Sequence, residues 1–292
     1  MDMINRVTIT QKLKMYLKHP GSLLLWLLVA LSAVLTVGAL GFIIVYILVH
    51  GVPYLSPSLF APEYTTENVS MLPAIITTLE MTVLALLFAV PLGVFSAIYT
   101  VEYAKKGNKL VAIVRLMAET LTGIPSIVYG LFGLLFFVGT LKMGMSLIAG
   151  ALTLAIMVLP VIMRTTEEAL LAIPDSYREG SFGLGAGRLR TVFRIVLPPA
   201  MPGILSGIIL AIGRIVGETA ALMYTSGTVA EVPKNIFSSG RTLALHMYCL
   251  SREGLYTNQA YATAVVLLLM VILINFLSGM IAKKIGKNGE KK

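Results

Sequence analysis

The sequence predicts an all-α, polytopic membrane protein, and three observations carry that prediction. Its 292 residues are 57% hydrophobic and 13% charged, with mean hydropathy +0.87, whereas ordinary globular domains are about 25% charged. The apolar residues fall in blocks as long as the roughly 20-residue helix that crosses a bilayer. Alternating apolar and polar strands are absent, which argues against an outer-membrane barrel. Helices are then the remaining way to satisfy backbone groups within lipid.

Six spans follow in order: Leu23–Val49, Leu72–Val101, Leu121–Leu141, Leu147–Met163, Gly203–Met223 and Tyr261–Ile281. The first follows basic residues, as in a signal peptide, but it exceeds the ~7–15-residue apolar core of such peptides. An uncleaved anchor is expected, with Trp26 near its start as an interfacial residue. Gly51–Ser70 is polar, proline-bearing and free of Lys and Arg, and reads as an external loop. Pro91 and Gly93 predict a kink or tilt in the long second span. In the third, Gly123-Ile124-Pro125-Ser126 breaks a helix and restarts it, with Pro125 suited to a first turn. A helix restarting at Ser126 inside the membrane aims free N–H groups at an anion; a plain packing kink is the alternative. The organisation read is a tail at 1–22, an additional helix at 23–49, a core at 72–282 containing an insert at 167–198, and a tail at 283–292.

The net charge of +9 is distributed as a topological signal. Lys and Arg gather in the N-terminal tail (Arg6, Lys12, Lys14, Lys18) and the second connection (Lys105, Lys106, Lys109, Arg115). They gather again in the insert (Arg178, Arg188, Arg190, Arg194) and the C-terminal tail (Lys283, Lys284, Lys287, Lys291, Lys292). Six spans put all four segments on one side, leaving Lys142, Lys234, Arg241 and Arg252 opposite. The positive-inside rule makes that basic side, with both termini, cytoplasmic. The basic excess therefore does not point to nucleic acid. The lone Cys249 excludes an internal disulfide and a Cys-rich metal site. His246 reads as ordinary surface in an outer loop.

The insert predicts two short helices. Pro174 ends the fourth span's helix, and Ser176 with Glu179 has capping-box spacing. Gly185 supplies a left-handed turn. A second helix, Leu189–Val196, is expected to stop before Pro198-Pro199, leaving an exposed knob bearing Arg178 and Glu179. An amphipathic helix on lipid headgroups is the alternative.

Ionisable residues inside spans are costly and become functional candidates. Arg164 lies at the end of the fourth span, where it either serves a ligand or snorkels. Arg214 and Glu218 lie within the fifth at i, i+4, which predicts one shared helix face. Arginine presents a fork of donors to an oxyanion and stays charged when desolvated. Glu218 is then expected to hold Arg214 in the empty state; an ion pair that only locks helices is the alternative. Gly207, Gly213 and Gly217 permit close helix approach. No Walker-type phosphate loop, catalytic carboxylate pair, Ser/His/Asp set or zinc spacing occurs, so the chain is expected to be no enzyme and to hold no metal or cofactor.

Glu179, the small pair Gly180 and Ser181, then Gly185, Ile195, Leu197 and Pro198 follow the pattern E-A-A-x3-G-x9-I-x-L-P, with Gly and Ser replacing its two alanines. On these residues the chain resembles bacterial ABC-transporter permeases, the MetI-like class of type I importers. Arg214 followed by Gly217-Glu218-Thr219-Ala220-Ala221-Leu222, and the run from Gly123 to Gly133, are similar to the PstA family of phosphate permeases. Ala221 stands where that family has proline. The likeness covers Leu72–Ala282. It implies a five-helix core, which with the additional first span makes six transmembrane helices with a cytoplasmic EAA coupling-helix insert between helices 4 and 5, in the cell membrane. It implies a phosphate path at Arg164, Arg214, Glu218 and Ser126, and ATPase coupling through Glu179, Gly180, Ser181, Gly185, Ile195, Leu197 and Pro198. Implied partners are a PstC-like second permease, two PstB-like ATPases holding ATP and magnesium, and a PstS-like phosphate-binding protein. A permease for sulfate, molybdate or phosphonate, an ion-coupled carrier using Glu218 as its proton site, and a membrane scaffold are the rivals.

Overall fold

The computed structural model describes residues 20–105 and 107–289, without the side chains at 20, 283 and 285–289. The basic positions Arg6, Lys12, Lys14, Lys18, Lys106, Lys291 and Lys292 lie outside the described residues; of the C-terminal tail read at 283–292, residues 283–289 are described and are helical. The described residues form helices and connecting turns, with no strand. Among the described residues, five helices are long and apolar enough to cross a membrane, or six if one bent pair is a single span.

The chain divides into two units, residues 1–50 and 51–292. The first is seen as helix α1 (Pro20–Gly51), whose apolar side chains are exposed nearly all round. A helix that is apolar on every face, at mean hydropathy 2.6, is built for lipid.

The second unit begins with short 3₁₀ turns and α2 (Leu72–Ile98), which ends in a π turn at Tyr99–Tyr103. Next come α3 (Lys109–Thr122) and α4 (Ser126–Gly133), the latter continued by π-helical Leu134–Thr140. Then α5 (Leu147–Leu171) leads to α6 (Asp175–Gly183) and α7 (Arg188–Thr191). A π turn, Val192–Val196, joins α7 to α8 (Leu197–Val216), followed by α9 (Ala220–Thr225), α10 (Leu243–Glu253) and α11 (Thr257–Gly289).

Small residues set the packing. Gly93 of α2 meets α5 so closely that a Cβ there would lie 2.8 Å from Ile162 Cγ2. Gly203 and Gly207 of α8 face Ala169 and Thr165 of α5 in the same way. Met81 lies by Gly150 and Thr100 by Glu167, so α2 and α5 run parallel, while α8 runs against them. Met81, Leu154, Met157, Ile162, Ile215 and Leu222 fill the core between them. One end of this bundle therefore carries the π turn of α2 with α6 and α7. The other carries the loops at 51–71 and 226–242 with α10.

Four expectations are corrected here. Residues 109–122, read as a connection, form a helix capped by Asn108, whose side chain accepts from Leu110 N–H at 2.9 Å. Its axis bends 105° from the helix that restarts at Ser126, the break falling at Pro125, whose φ −59° and ψ 141° are extended rather than helical. The fifth span ends at Val216, not Met223. The second insert helix does not stop at Pro198; it runs through the π turn into α8, with the prolines in the first turn. A residue lacking N–H is tolerated where the π turn has already interrupted the regular ladder. Lastly, α6 starts at Asp175 behind Pro174 without a side-chain cap, so Ser176 forms no capping box.

Candidate functional site

The fifth span breaks at the residues singled out for the path. Gly217 closes α8, and the chain restarts as α9 at Ala220. Arg214 and Glu218 therefore do not share a helix face, and no ion pair joins them. Glu218 is 9% exposed, and its Oε1 accepts the N–H of Ala221 at 3.0 Å. A carboxylate at a helix N-terminus satisfies an orphan donor and opposes the positive end of the dipole. That use consumes Glu218 as a cap. Arg214 is half-buried and makes no hydrogen bond or ion pair among the described residues. It lies near enough to Tyr129 of α4 for its charge to act on the phenol. Gly130 of α4 meets the backbone of Ala221, and Gly133 meets Thr153 and Thr225, so α4 is seated on α9. Ser126 opens α4 behind Pro125, with no side-chain cap on that end. The structure thus brings Arg214, Glu218 and the α4–α9 contact together.

Arg164 pairs with other carboxylates. Its Nε donates to Glu168 Oε1 at 3.2 Å and its Nη1 lies 3.8 Å from Glu119 Oε1. The three side chains are 57 to 69% exposed, and pairs so open to solvent are worth about 0–1 kcal/mol. They line a cleft of about 270 Å³ with Arg115 and Glu167. Glu167 is buried, accepting from Thr100 Oγ1 of α2 and from Arg115 Nε of α3 at 3.2 Å. Arg214, Glu218 and Ser126 are not among the residues lining this cleft.

An arginine anchors the first half of the insert. Arg178 was expected on an exposed knob; its side chain is instead 14% exposed and paired with Glu102 at 2.7 Å. Glu179, one residue on, is exposed. Gly185 has φ +80°, the left-handed value that glycine adopts freely, and turns the chain between α6 and α7. Gly180 is exposed, and Ser181 is buried, its hydroxyl 2.8 Å from that of Thr191. This bond ties α6 to α7. Between them lies a cleft of about 580 Å³ lined by Tyr177, Leu184, Arg190, Arg194 and Ile195. Leu184 is 92% exposed. Leu197 and Pro198 are half-buried, so Ile195 at the cleft and these two sit in the continuous turn leading into α8.

Residues 89–287 match the family described as "Binding-protein-dependent transport system inner membrane component". The chain belongs to this family. It is a polytopic membrane permease of the MetI-like ABC importer type. It is 34% identical over 270 residues to "Probable ABC transporter permease protein YqgI" of Bacillus subtilis, covering 83% of this chain and 90% of the relative. It is 36% identical over 211 residues to "Phosphate transport system permease protein PstA 1" of Mycobacterium tuberculosis, covering 71% and 69%. Among solved structures, a chain of a bacterial alginate ABC transporter in complex with its periplasmic protein superposes with TM-score 0.69 at 15% identity, over 93% of this chain and 98% of that one. The inward-facing MetNI methionine transporter gives 0.56 at 21%, over 74% and 94%. At these identities the structural likeness concerns fold.

Sequence reasoning passed over several residues of the permease. Glu102 and Glu167 are carboxylates at the ends of apolar helices, and their position there was the available signal. His246, expected on the surface, is 1% exposed in α10, edge-on to Tyr64. Arg241 is 6% exposed, and its guanidinium lies 4.7 Å from the Tyr64 ring. Burial, and then the charge of Arg241, lowers the His246 pKa to about 3. Both residues are brought inside by the loop at 51–71 folding over α10, which no local pattern encodes. Gly207 makes the close approach expected of it, while Gly213 has nothing within 4 Å of where a Cβ would stand. Among the described residues, no group of three or more His, Cys, Asp or Glu is placed to hold a metal ion.

Proposed function

We propose that the chain is the membrane-spanning permease subunit of an ATP-driven importer of inorganic phosphate. Arg214 carries this reading. It is a half-buried guanidinium one turn from the end of an apolar helix, without an anionic partner among the described residues. A charge inside a bilayer costs about 2.5–3.5 kcal/mol on insertion scales, and such residues face a water-filled cavity or a charged or polar partner, which marks them as parts of substrate paths. The planar donors of Arg214 suit the edge of an oxyanion. Glu218 is occupied as the α9 cap, which leaves Arg214 available to a ligand. The relatives named as phosphate permeases support phosphate as that anion.

In this reading a PstC-like permease completes the path and a PstS-like protein delivers phosphate from outside. Two PstB-like ATPases, which hold ATP and magnesium, lie against the cytoplasmic insert. The termini are cytoplasmic. Exposed Glu179, with the apolar rim of Leu184 and Tyr177, forms the face offered to the ATPase. Because α6 and α7 run directly into α5 and α8, movement of the insert tilts both helices that border the path.

The test is uptake of labelled phosphate by the complete complex in proteoliposomes. Arg214→Gln is expected to abolish ATP-driven uptake while leaving the complex assembled, and excess sulfate is expected not to compete. Uptake unchanged by the substitution refutes the role of Arg214; full competition by sulfate refutes phosphate as the cargo.

A further inference from the structure

We infer that Arg178 and Glu102 form a joint that makes α2 move with the docking helix α6, so that an ATPase drives three path helices and not only the two continuous with the insert. This rests on the insert being the ATPase handle. The joint uses every donor of the guanidinium. Nε donates to Glu102 Oε1 and Oε2 at 3.1 and 3.3 Å, and Nη2 to Glu102 Oε1 at 2.7 Å and Leu170 O at 2.9 Å. Nη1 donates to Ile173 O at 2.8 Å and Asp175 Oδ1 at 3.2 Å. One side chain thus gathers the end of α2, the last turn of α5 and the first turns of α6.

Closing α5 requires only the bonds to Leu170 and Ile173. The forked pairing with a carboxylate 76 positions away adds a connection that capping does not need. The two side chains are 14% and 7% exposed, unlike the open Arg164–Glu168 pair. Separating a desolvated pair strands two charges, so this contact resists slipping where a surface pair would give. A second tie points the same way: Arg188 of α7 lies 5.8 Å from the ring of Tyr103, in the same π turn as Glu102. Both halves of the insert are therefore held to the end of α2. Glu167, joined to Thr100, fixes that end to α5 as well.

The joint is tested in the complete reconstituted complex by replacing Glu102→Gln, and separately Arg178→Lys, which keeps the charge but not the fork. Each variant is expected to retain its ATPase subunits and hydrolyse ATP within roughly twofold of the parent. Phosphate moved per ATP is expected to fall about tenfold, the effect of losing one charged hydrogen bond. Spin labels at Tyr99→Cys and Ser176→Cys, in a Cys249→Ser chain, read the movement itself. Their separation is expected to stay constant between the nucleotide-free and ATP-trapped states with the joint intact, and to change when Glu102→Gln is added. An unaltered ratio of phosphate to ATP in both variants, or a separation that shifts on ATP trapping with the joint intact, overturns the inference. Failure of the parent chain to retain any ATPase subunit refutes instead the reading on which it rests.

Discussion

Replacing Gly207 by alanine sets a methyl group where α8 crosses α5. The new Cβ would stand 1.9 Å from Thr165 Oγ1, 2.7 Å from Thr165 Cβ and 3.3 Å from its Cγ2. Turning the threonine clears the hydroxyl, and in doing so disturbs its 2.9 Å bond to Val161 O. It cannot clear Cβ, which is fixed to the backbone, so the two helices must part. Overpacking of this kind costs about 1–3 kcal/mol, against a gain of about 1 kcal/mol from replacing glycine within a helix. Gly213, further along the same helix, has open space around it and gains the second effect alone. The two alanine variants are therefore expected to shift stability in opposite directions. Thermal unfolding of the purified chain in detergent checks this, at roughly 2–4 °C per kcal/mol for chains of 150–250 residues. Equal shifts, or a stabilising Gly207→Ala, would refute the close crossing of α5 and α8 on which the placement of Arg214 depends.

Two further outcomes are expected. Glu218→Ala removes the acceptor for Ala221 N–H and should destabilise by about 0.5–2 kcal/mol, whereas Glu218→Gln keeps an oxygen there and should lose less; unfolding of both variants decides it. His246 is held neutral by burial, its pKa lowered to about 3, while the unfolded chain takes up a proton near the ordinary value of 6.5. The unfolded state binds more protons between those values, so this stability is complete above about pH 6.5 and is lost as pH falls towards 3. A loss on the order of 2 kcal/mol is expected between about pH 7.5 and 5. His246→Gln should flatten that dependence, as melting across the pH range would record.

Several features of the site could be read without coordinates because they are written in consecutive residues. The left-handed turn at Gly185 follows from glycine's freedom at positive φ, and the helix restart at Ser126 from the proline before it. The misreadings share a different cause. Arg214 and Glu218 were placed on one face by assuming an uninterrupted helix, and the close of α8 at Gly217 removed the premise. Arg178 was placed outside because basic residues in a polar insert are usually solvated. Its partner Glu102 lies 76 positions away, beyond the reach of any local pattern.

Hydrophobicity and charge order along the chain determined by themselves that this protein is a helical membrane protein with a polar insert, because lipid permits so few backbone arrangements. Tertiary structure alone decided which charges are paired. It assigned Glu218 to a helix end, Arg178 to Glu102 and Glu167 to Thr100 and Arg115, and left Arg214 without a hydrogen-bond or ion-pair partner among the described residues. The physical reason is that ion pairing depends on distances of a few ångströms between helices, and those distances are set by where Gly93, Gly203 and Gly207 let backbones touch.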